Sequence, residues 1–196
     1  KGNKFVFTNI SKISDGNISS FNWNLGDGTT STNGIVNKVY SNSQTYYVTL
    51  YTVSNRNCLD TLVKPVGVWP QATMDYTISK DSQCLKGNNF TFTNGTTISP
   101  GSISNYKWEF GDGSTATTQN ASKKYSTEGT YVVKLSTNSN RGCKDTLIKK
   151  VVVHPRSILA FTLNSDSQCL KGNNFQTTNT SSVVTGSIVK YNWDLD

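Results

Sequence analysis

Tyr106-Lys107-Trp108-Glu109-Phe110-Gly111-Asp112-Gly113 reads as a strand running into a tight turn. Trp108 and Phe110 fall on one side of the pleat and Lys107 and Glu109 on the other, the alternation of a half-buried strand. Gly111-Asp112-Gly113 then supplies residues that tolerate positive φ, so the chain can reverse at once. The same stretch occurs earlier as Phe21-Asn22-Trp23-Asn24-Leu25-Gly26-Asp27-Gly28, and it starts again as Tyr191-Asn192-Trp193-Asp194-Leu195-Asp196. Trp23, Trp108 and Trp193 are equally spaced, which defines a repeat.

The period extends well beyond the tryptophans. Lys1-Gly2-Asn3-Lys4-Phe5 matches Lys86-Gly87-Asn88-Asn89-Phe90 and Lys171-Gly172-Asn173-Asn174-Phe175 at the same spacing. Asp81-Ser82-Gln83-Cys84-Leu85 precedes the second of these and Asp166-Ser167-Gln168-Cys169-Leu170 the third. The first copy lacks that prefix, and the third stops at Asp196, where the others have the turn glycines Gly26 and Gly111. One full unit flanked by two partial ones is the expectation for a window of a longer tandem array. The expected domains are 1–70, 71–155 and 156–196.

Strands are expected at Phe5–Thr8 and Phe90–Thr93, preceded in the second copy by Thr73–Ile78. The tryptophan strands are Ser20–Leu25 and Asn105–Phe110, each followed by a long variable loop and a short segment, Val39-Tyr40 or Lys124-Tyr125. Thr45–Val53 and Thr130–Thr137 form a long alternating strand, and Thr61–Val68 and Thr146–Val153 the last one. Tyr46, Val48 and Leu50 match Tyr131, Val133 and Leu135, whereas Tyr47, Thr49 and Tyr51 become Val132, Lys134 and Ser136. A face that accepts Lys is the wet face, so the Tyr-Val-Leu face packs on the tryptophan strand. Six or seven such strands predict an all-β, two-sheet antiparallel sandwich. Trp69-Pro70 and His154-Pro155 end the copies without a Gly/Ser linker, which predicts stacked beads with limited bending. At ~3.3 Å per residue each unit would be roughly 35–45 Å long.

The 196 residues carry 19 Lys+Arg against 12 Asp+Glu, a net charge of +7. The basic residues are scattered, with only Lys123-Lys124 and Lys149-Lys150 adjacent. This favours solubility over polyanion binding, and no nucleic-acid motif is present. No apolar run is long enough to cross a membrane.

Trp108–Gly113, the Tyr-x-x-x-Gly-Thr-Tyr-x-Val-x-Leu strand of Tyr125–Leu135, and Gly142–Thr146 together resemble the PKD (polycystic kidney disease) domain. The first copy departs from the pattern with Ser43-Gln44 for Glu128-Gly129 and Asn57 for Gly142, changes expected to alter loop shape only. The resemblance implies tandem immunoglobulin-like sandwiches, found extracellularly as spacers, ligand-binding units or force-bearing links. The cysteine-bearing variant is similar to repeats in very large surface adhesins of gliding bacteria, exported by the type IX route. Fold alone does not fix function.

Cys58 and Cys143 are one repeat apart, as are Cys84 and Cys169, which fits an oxidising, extracellular setting. One pairing closes Cys84–Cys143 within a unit, worth about 4 kcal/mol in the chain-entropy model. The other links the first cysteine of one unit to the second cysteine of the following unit and staples the joint. Both stay open from sequence. Asp27 and Asp112 invite a calcium reading, but one carboxylate between two glycines falls short of six to eight oxygens, and an Asp bonding its own turn is favoured. Trp23, Asp27, Gly28, Trp108, Asp112, Gly113 and Trp193 are thus expected as turn and core residues. Thr61 and Thr146, in Asp-Thr-Leu segments, are candidate O-glycosylation sites. Tyr47, Tyr51 and Trp69 are candidates for stacking on sugars, against the simpler reading of surface aromatics and a Trp packing a joint.

His154 is the single histidine, and the first copy has Trp69 in its place, so no catalytic set, metal cluster or cofactor site is expected. The resulting expectation is a non-enzymatic stalk or filament segment of a secreted bacterial cell-surface protein acting in adhesion or gliding. The alternative is a polysaccharide-binding or spacer module of a secreted enzyme. The expected partners are neighbouring repeats, other copies in a fibre, and surface polysaccharide, with no nucleic acid and no membrane insertion.

Overall fold

A computed structural model of the chain describes residues 3–194. Lys1, Gly2, Leu195 and the glycine-position Asp196 lie outside the described residues. The elements are all strands. The first copy holds β1 (Lys4–Thr8), β2 (Ile18–Asn24), β3 (Thr30–Ser31), β4 (Ile35–Val39), β5 (Thr45–Ser54) and β6 (Leu59–Gly67). The second holds β7 (Tyr76–Ile78), β8 (Ser82–Cys84), β9 (Phe90–Asn94), β10 (Ile103–Glu109), β11 (Thr115–Ala116), β12 (Ala121–Lys123), β13 (Gly129–Ser139) and β14 (Lys144–His154). The third holds β15 (Phe161–Leu163) and β16 (Thr177–Asn179).

The architecture is a tandem of immunoglobulin-like β-sandwiches. In the first copy a β1-β4 pair faces a β3-β2-β5-β6 sheet; in the second, a β12-β9-β7 sheet faces β11-β10-β13-β14-β8. The chain divides into two compact units. One holds residues through Met74 together with Thr96–Asn105 and Thr137–Asp145; the other holds Asp75–Gly95, Tyr106–Ser136 and the residues from Thr146 onward.

The alternation in β5 does what its sequence requires. Tyr46, Val48 and Leu50 are buried, and Trp23, Leu25 and Val36 pack with Val48 and Leu50. Tyr46 joins Tyr40 and Val68 in a second cluster. In the second copy Tyr76 stands edge-on to Trp108 at 5.0 Å between centroids, and Phe92 lies 5.6 Å from Trp108. Each fully buried side chain of this size contributes about 1.5–3 kcal/mol.

Four features differ from the sequence reading. The sandwich is not wholly antiparallel: β8 runs parallel to the end of β14, with Cys84 beside His154. The variable loop holds β3 or β11, and the short segment falls at Ile35–Val39 or Ala121–Lys123, leaving Tyr40 and Tyr125 just past the strand end. Asn57 leaves the turn shape unchanged. It sits at φ 59 where Gly142 has φ 78, and both turns close with a 3.0 Å bond, Asn57 N to Ser54 O or Gly142 N to Ser139 O. Asn is among the few residues that visit the left-handed region readily. The third tryptophan stretch, Tyr191–Asp194, forms no strand. Its counterparts pair with β5 and β13, for which the third copy offers no partner among the described residues.

Candidate functional site

The two Gly-Asp-Gly turns are the most elaborated polar sites. Leu25 N donates to Thr29 O at 2.9 Å, and Phe110 N to Ser114 O at 3.1 Å, closing each reversal. Asp112 Oδ1 accepts from Ser114 N at 3.1 Å and Ser114 Oγ at 2.6 Å, while Oδ2 meets Lys123 Nζ at 2.6 Å. Asp27 repeats this with Thr29 N at 3.2 Å, Thr29 Oγ1 at 2.6 Å and Lys38 Nζ at 2.5 Å. The tyrosines past the next strand brace the same turns: Tyr40 OH donates to Leu25 O and Tyr125 OH to Phe110 O, each at 2.8 Å. Lys123 Nζ also lies 5.5 Å from the Tyr125 ring centroid.

Both oxygens of each aspartate are therefore engaged by the turn and by a lysine. The Lys38 bond, with Thr29 behind it, holds Asp27 at a pKa of about 2. Burial pushes Asp112 up, but the Lys123 and Ser114 bonds outweigh it and hold it at about 2. Lys38 and Lys123 were missed in the sequence reading. Their signal was present, since they too occupy equivalent positions of the two copies.

The linkage has a definite sign. Unfolded carboxylates take protons near pH 3.8 and the folded ones only near 2, so this stabilisation is full above pH ~4 and is lost as the pH falls through about 2. We expect Asp112→Asn to lower stability at neutral pH by about 1 kcal/mol, allowing for screening by water. Urea unfolding at pH 7 and near pH 2 checks this: the gap between variant and parent should close in acid. A gap that persists would remove the ion pair as its cause.

Trp69 sits within the first compact unit, with the Arg141 guanidinium over its ring at 4.1 Å. Its other flank is against Gly67, where an added Cβ would stand 2.7 Å from Trp69 Cζ2. Ala72 N donates to Asp145 Oδ2 at 2.9 Å nearby. Asn3, Trp69, Arg141 and Cys143 help line an open groove of ≈ 730 Å³. Trp69 is thus a packing residue, while Tyr47 is exposed and Tyr51 half-buried on the outer face of β5.

All four cysteines are free thiols, three exposed and Cys143 half-buried. Cys143 precedes the first residue of β14 and Cys84 pairs with its last. An eleven-residue strand spans about 33 Å, against a Cα limit of ~7 Å for a disulfide. The Cys84–Cys143 bond within one repeat is therefore corrected away. Cys58 N and Cys143 N each donate to a buried serine, Ser54 Oγ and Ser139 Oγ, at 3.1 Å. Thr61 on β6 and Thr146 on β14 are exposed. His154 Nε2 lies 2.8 Å from Ser82 Oγ, a contact that ties β8 to β14. Among the described residues no three His, Cys, Asp or Glu gather as a metal set, and no helix is long and apolar enough to cross a membrane.

Comparison with known proteins matches the PKD domain to residues 1–66 and 73–153. A microbial collagenase of Vibrio alginolyticus is 35% identical over 77 residues, 39% of this chain and 10% of that protein. The pre-pro-metalloprotease PrtV of Vibrio cholerae is 28% identical over 156 residues, 77% of this chain and 16% of that protein. The chain therefore spans a small part of the curated relatives it matches. A crystal structure of the PKD1 domain of Vibrio anguillarum Epp is similar at 20% identity and a TM-score of 0.41, covering 45% of this chain and all of that one. With both the first and the second copy matched, the chain belongs to the PKD domain family.

Proposed function

We propose that this chain is a non-catalytic, extracellular spacer segment of a secreted bacterial enzyme. One observation carries the reading: the stretch shared with PrtV is 77% of this chain but 16% of that metalloprotease, the proportion of an appendage. The geometry agrees with it. The two turn aspartates, Asp27 and Asp112, are held by lysines, and Trp69 is spent on Arg141. Domains 1–70, 71–155 and 156–196 are the proposed modules. Thr61 and Thr146, both exposed, are the proposed glycan acceptors.

A second reading keeps the chain as a stalk of a surface adhesin. The threefold recurrence of the tryptophan stretch favours it, because repetition at constant spacing builds reach. A third role, holding polysaccharide or collagen, would fall to Tyr47 on the outer face of β5.

Co-sedimentation with insoluble collagen and with polysaccharide, beside a peptide-hydrolysis assay, tests the proposal. The spacer leaves the chain in the supernatant and hydrolyses nothing. Depletion that Tyr47→Ala abolishes would replace the spacer with a binding module, and hydrolysis would overturn both.

A further inference from the structure

The tripeptide Thr-Asn-Gly occurs twice, as Thr32-Asn33-Gly34 in the first copy and Thr93-Asn94-Gly95 in the second. The two are not repeat equivalents, since Thr118 and Gln119 hold the places of Asn33 and Gly34. Asparagine is among the thermolabile residues. The backbone nitrogen of the following residue can attack its side-chain amide carbon, and a glycine, with no Cβ, hinders that approach least. The same reactive tripeptide thus stands at two places in one molecule, and the fold decides which of them reacts.

Asn94 is locked. It is the last residue of β9 and pairs with Tyr76 of β7. Gly95 N, the atom that would attack, donates to Asp75 O at 2.9 Å. Just beyond it, Thr97 N donates to Thr73 O at 3.0 Å and Thr73 N to Thr97 O at 2.8 Å. Asn94 N donates to Asn120 Oδ1 at 2.9 Å. A Cβ added at Gly95 would stand 3.3 Å from Asp75 Oδ2, so a carboxylate sits beside the nitrogen that must lose its proton. A like charge there disfavours the anion.

Asn33 is not locked. It lies between β3 and β4, outside both strands, and Asn33 and Gly34 are exposed. Asn33 N donates to Ser31 Oγ at 3.2 Å, and its carbonyl accepts from Trp23 Nε1 at 3.1 Å. Gly34 O accepts from Asn9 N at 2.8 Å, but among the described residues Gly34 N donates to no acceptor. The indole contact is a property of the turn, because the complete second copy repeats it, with Trp108 Nε1 donating to Thr118 O at 3.0 Å. We propose that Asn33 converts spontaneously to isoaspartate and so loosens the start of β4, while Asn94 is preserved by its pairing. This inference does not depend on the spacer reading.

Gly34 N attacks Asn33 Cγ. The new bond between them closes a succinimide ring, the Cγ–Nδ2 bond breaks, and the amide nitrogen leaves as ammonia with the proton that Gly34 N gives up. Water then opens the ring. Opening at the Asn33 main-chain carbonyl leaves isoaspartate, and opening at Cγ leaves aspartate. No oxidant and no enzyme enter the balance. In isoaspartate the chain runs through Cβ and Cγ, and the former main-chain carbonyl becomes a side carboxylate. That carbonyl is the acceptor of the Trp23 indole, and Gly34 O holds Asn9. The extra backbone atom therefore falls between two anchors, directly before the Thr8↔Ile35 pair that opens the β1–β4 ladder.

Storing the whole chain in warm, mildly alkaline buffer and mapping its peptides over time tests the proposal, with isoaspartyl methyltransferase labelling to separate isoaspartate from aspartate. In the folded chain Asn33 should convert roughly tenfold faster than Asn94 or more, because Asn94 must first unpair from β7. In concentrated urea the two rates should converge, since the reacting tripeptide is the same. Gly34→Ala should slow conversion at Asn33 severalfold. The fold tolerates that change, because the added Cβ would meet only Phe21 Cζ, at 4.0 Å. Hydrogen exchange at Ile35–Val39 should be faster in the aged chain than in the fresh one. Asn33→Asp adds the charge without the extra backbone atom and should leave that exchange unchanged. An Asn33 that does not outpace Asn94 in the folded chain overturns the proposal, as does conversion that Gly34→Ala leaves untouched. Equal exchange over β4 in fresh and aged chains overturns the loosening.

Discussion

Trp108→Ala is expected to lower the stability of the second sandwich by about 3–5 kcal/mol, a large share of what a domain of this size possesses. Trp108 is 0% exposed and lies between Tyr76 and Phe92. Truncation leaves a hole between two sheets that cannot collapse around it. It also strips the Thr118 carbonyl of the indole N–H that donates to it at 3.0 Å. Trp23→Ala removes the same ring from the first copy, where one wall is an open groove that water can enter. Its expected loss is smaller, about 2–3 kcal/mol, because less burial existed to be lost. Urea unfolding of the two variants, followed by far-ultraviolet circular dichroism, checks the ranking. Equal losses would mean that the small difference in burial between the two rings does not set the cost of removing them.

The fold was readable because two signals coincide in this chain. Alternation marks the buried face, as in Tyr46, Val48 and Leu50, and a second copy shows which alternate positions accept Lys or Ser. What escaped had no such signal. Ser82-Gln83-Cys84 joins the sheet in parallel through backbone bonds, and its polar side chains show no apolar pattern to betray a strand. β3 and β11 are two residues each, too short for any period. Tyr191–Asp194 forms no strand for a different reason: a strand is a property of a pair, and among the described residues the third copy has no counterpart of β5 or β13 for it to pair with.

The polar sites were readable in part. The turn aspartates were recognised as turn residues, but Lys38 and Lys123 lie well beyond the turns in sequence and reach them only because the chain returns along β4 or β12. Trp69 and Arg141 come from different repeats of the sequence, and no local rule joins them. Function was least accessible. Neither the turns nor the groove beside Trp69 names a ligand or a reaction.

Gly111→Ala should match a core truncation in severity, whereas Gly113→Ala in the same turn should not. Both glycines lie in the left-handed region, at φ 83 and 89, so each substitution carries the backbone penalty of about 1 kcal/mol or somewhat more. Their surroundings differ. A Cβ on Gly111 would stand 2.8 Å from both Val132 N and Val132 O, main-chain atoms of β13 that no rotamer change can move. Around Gly113 nothing lies within 4 Å. Relieving the clash at Gly111 means shifting β13 beside Val133, whose carbonyl receives the Tyr76 hydroxyl, or opening the turn that Asp112 and Lys123 hold shut. Either route disturbs the core, so the expected loss is about 3–4 kcal/mol. Gly26 faces Tyr47 O at 2.8 Å in the same way, so Gly26→Ala should behave like Gly111→Ala. Comparing urea midpoints for the three variants separates the two mechanisms. If Gly113→Ala proved as damaging as Gly111→Ala, backbone conformation alone would account for both and the close approach of β13 would contribute nothing. If Gly111→Ala were mild, the turn must yield without dragging β13, and the bracing by Tyr125, Asp112 and Lys123 would be weaker than their distances imply.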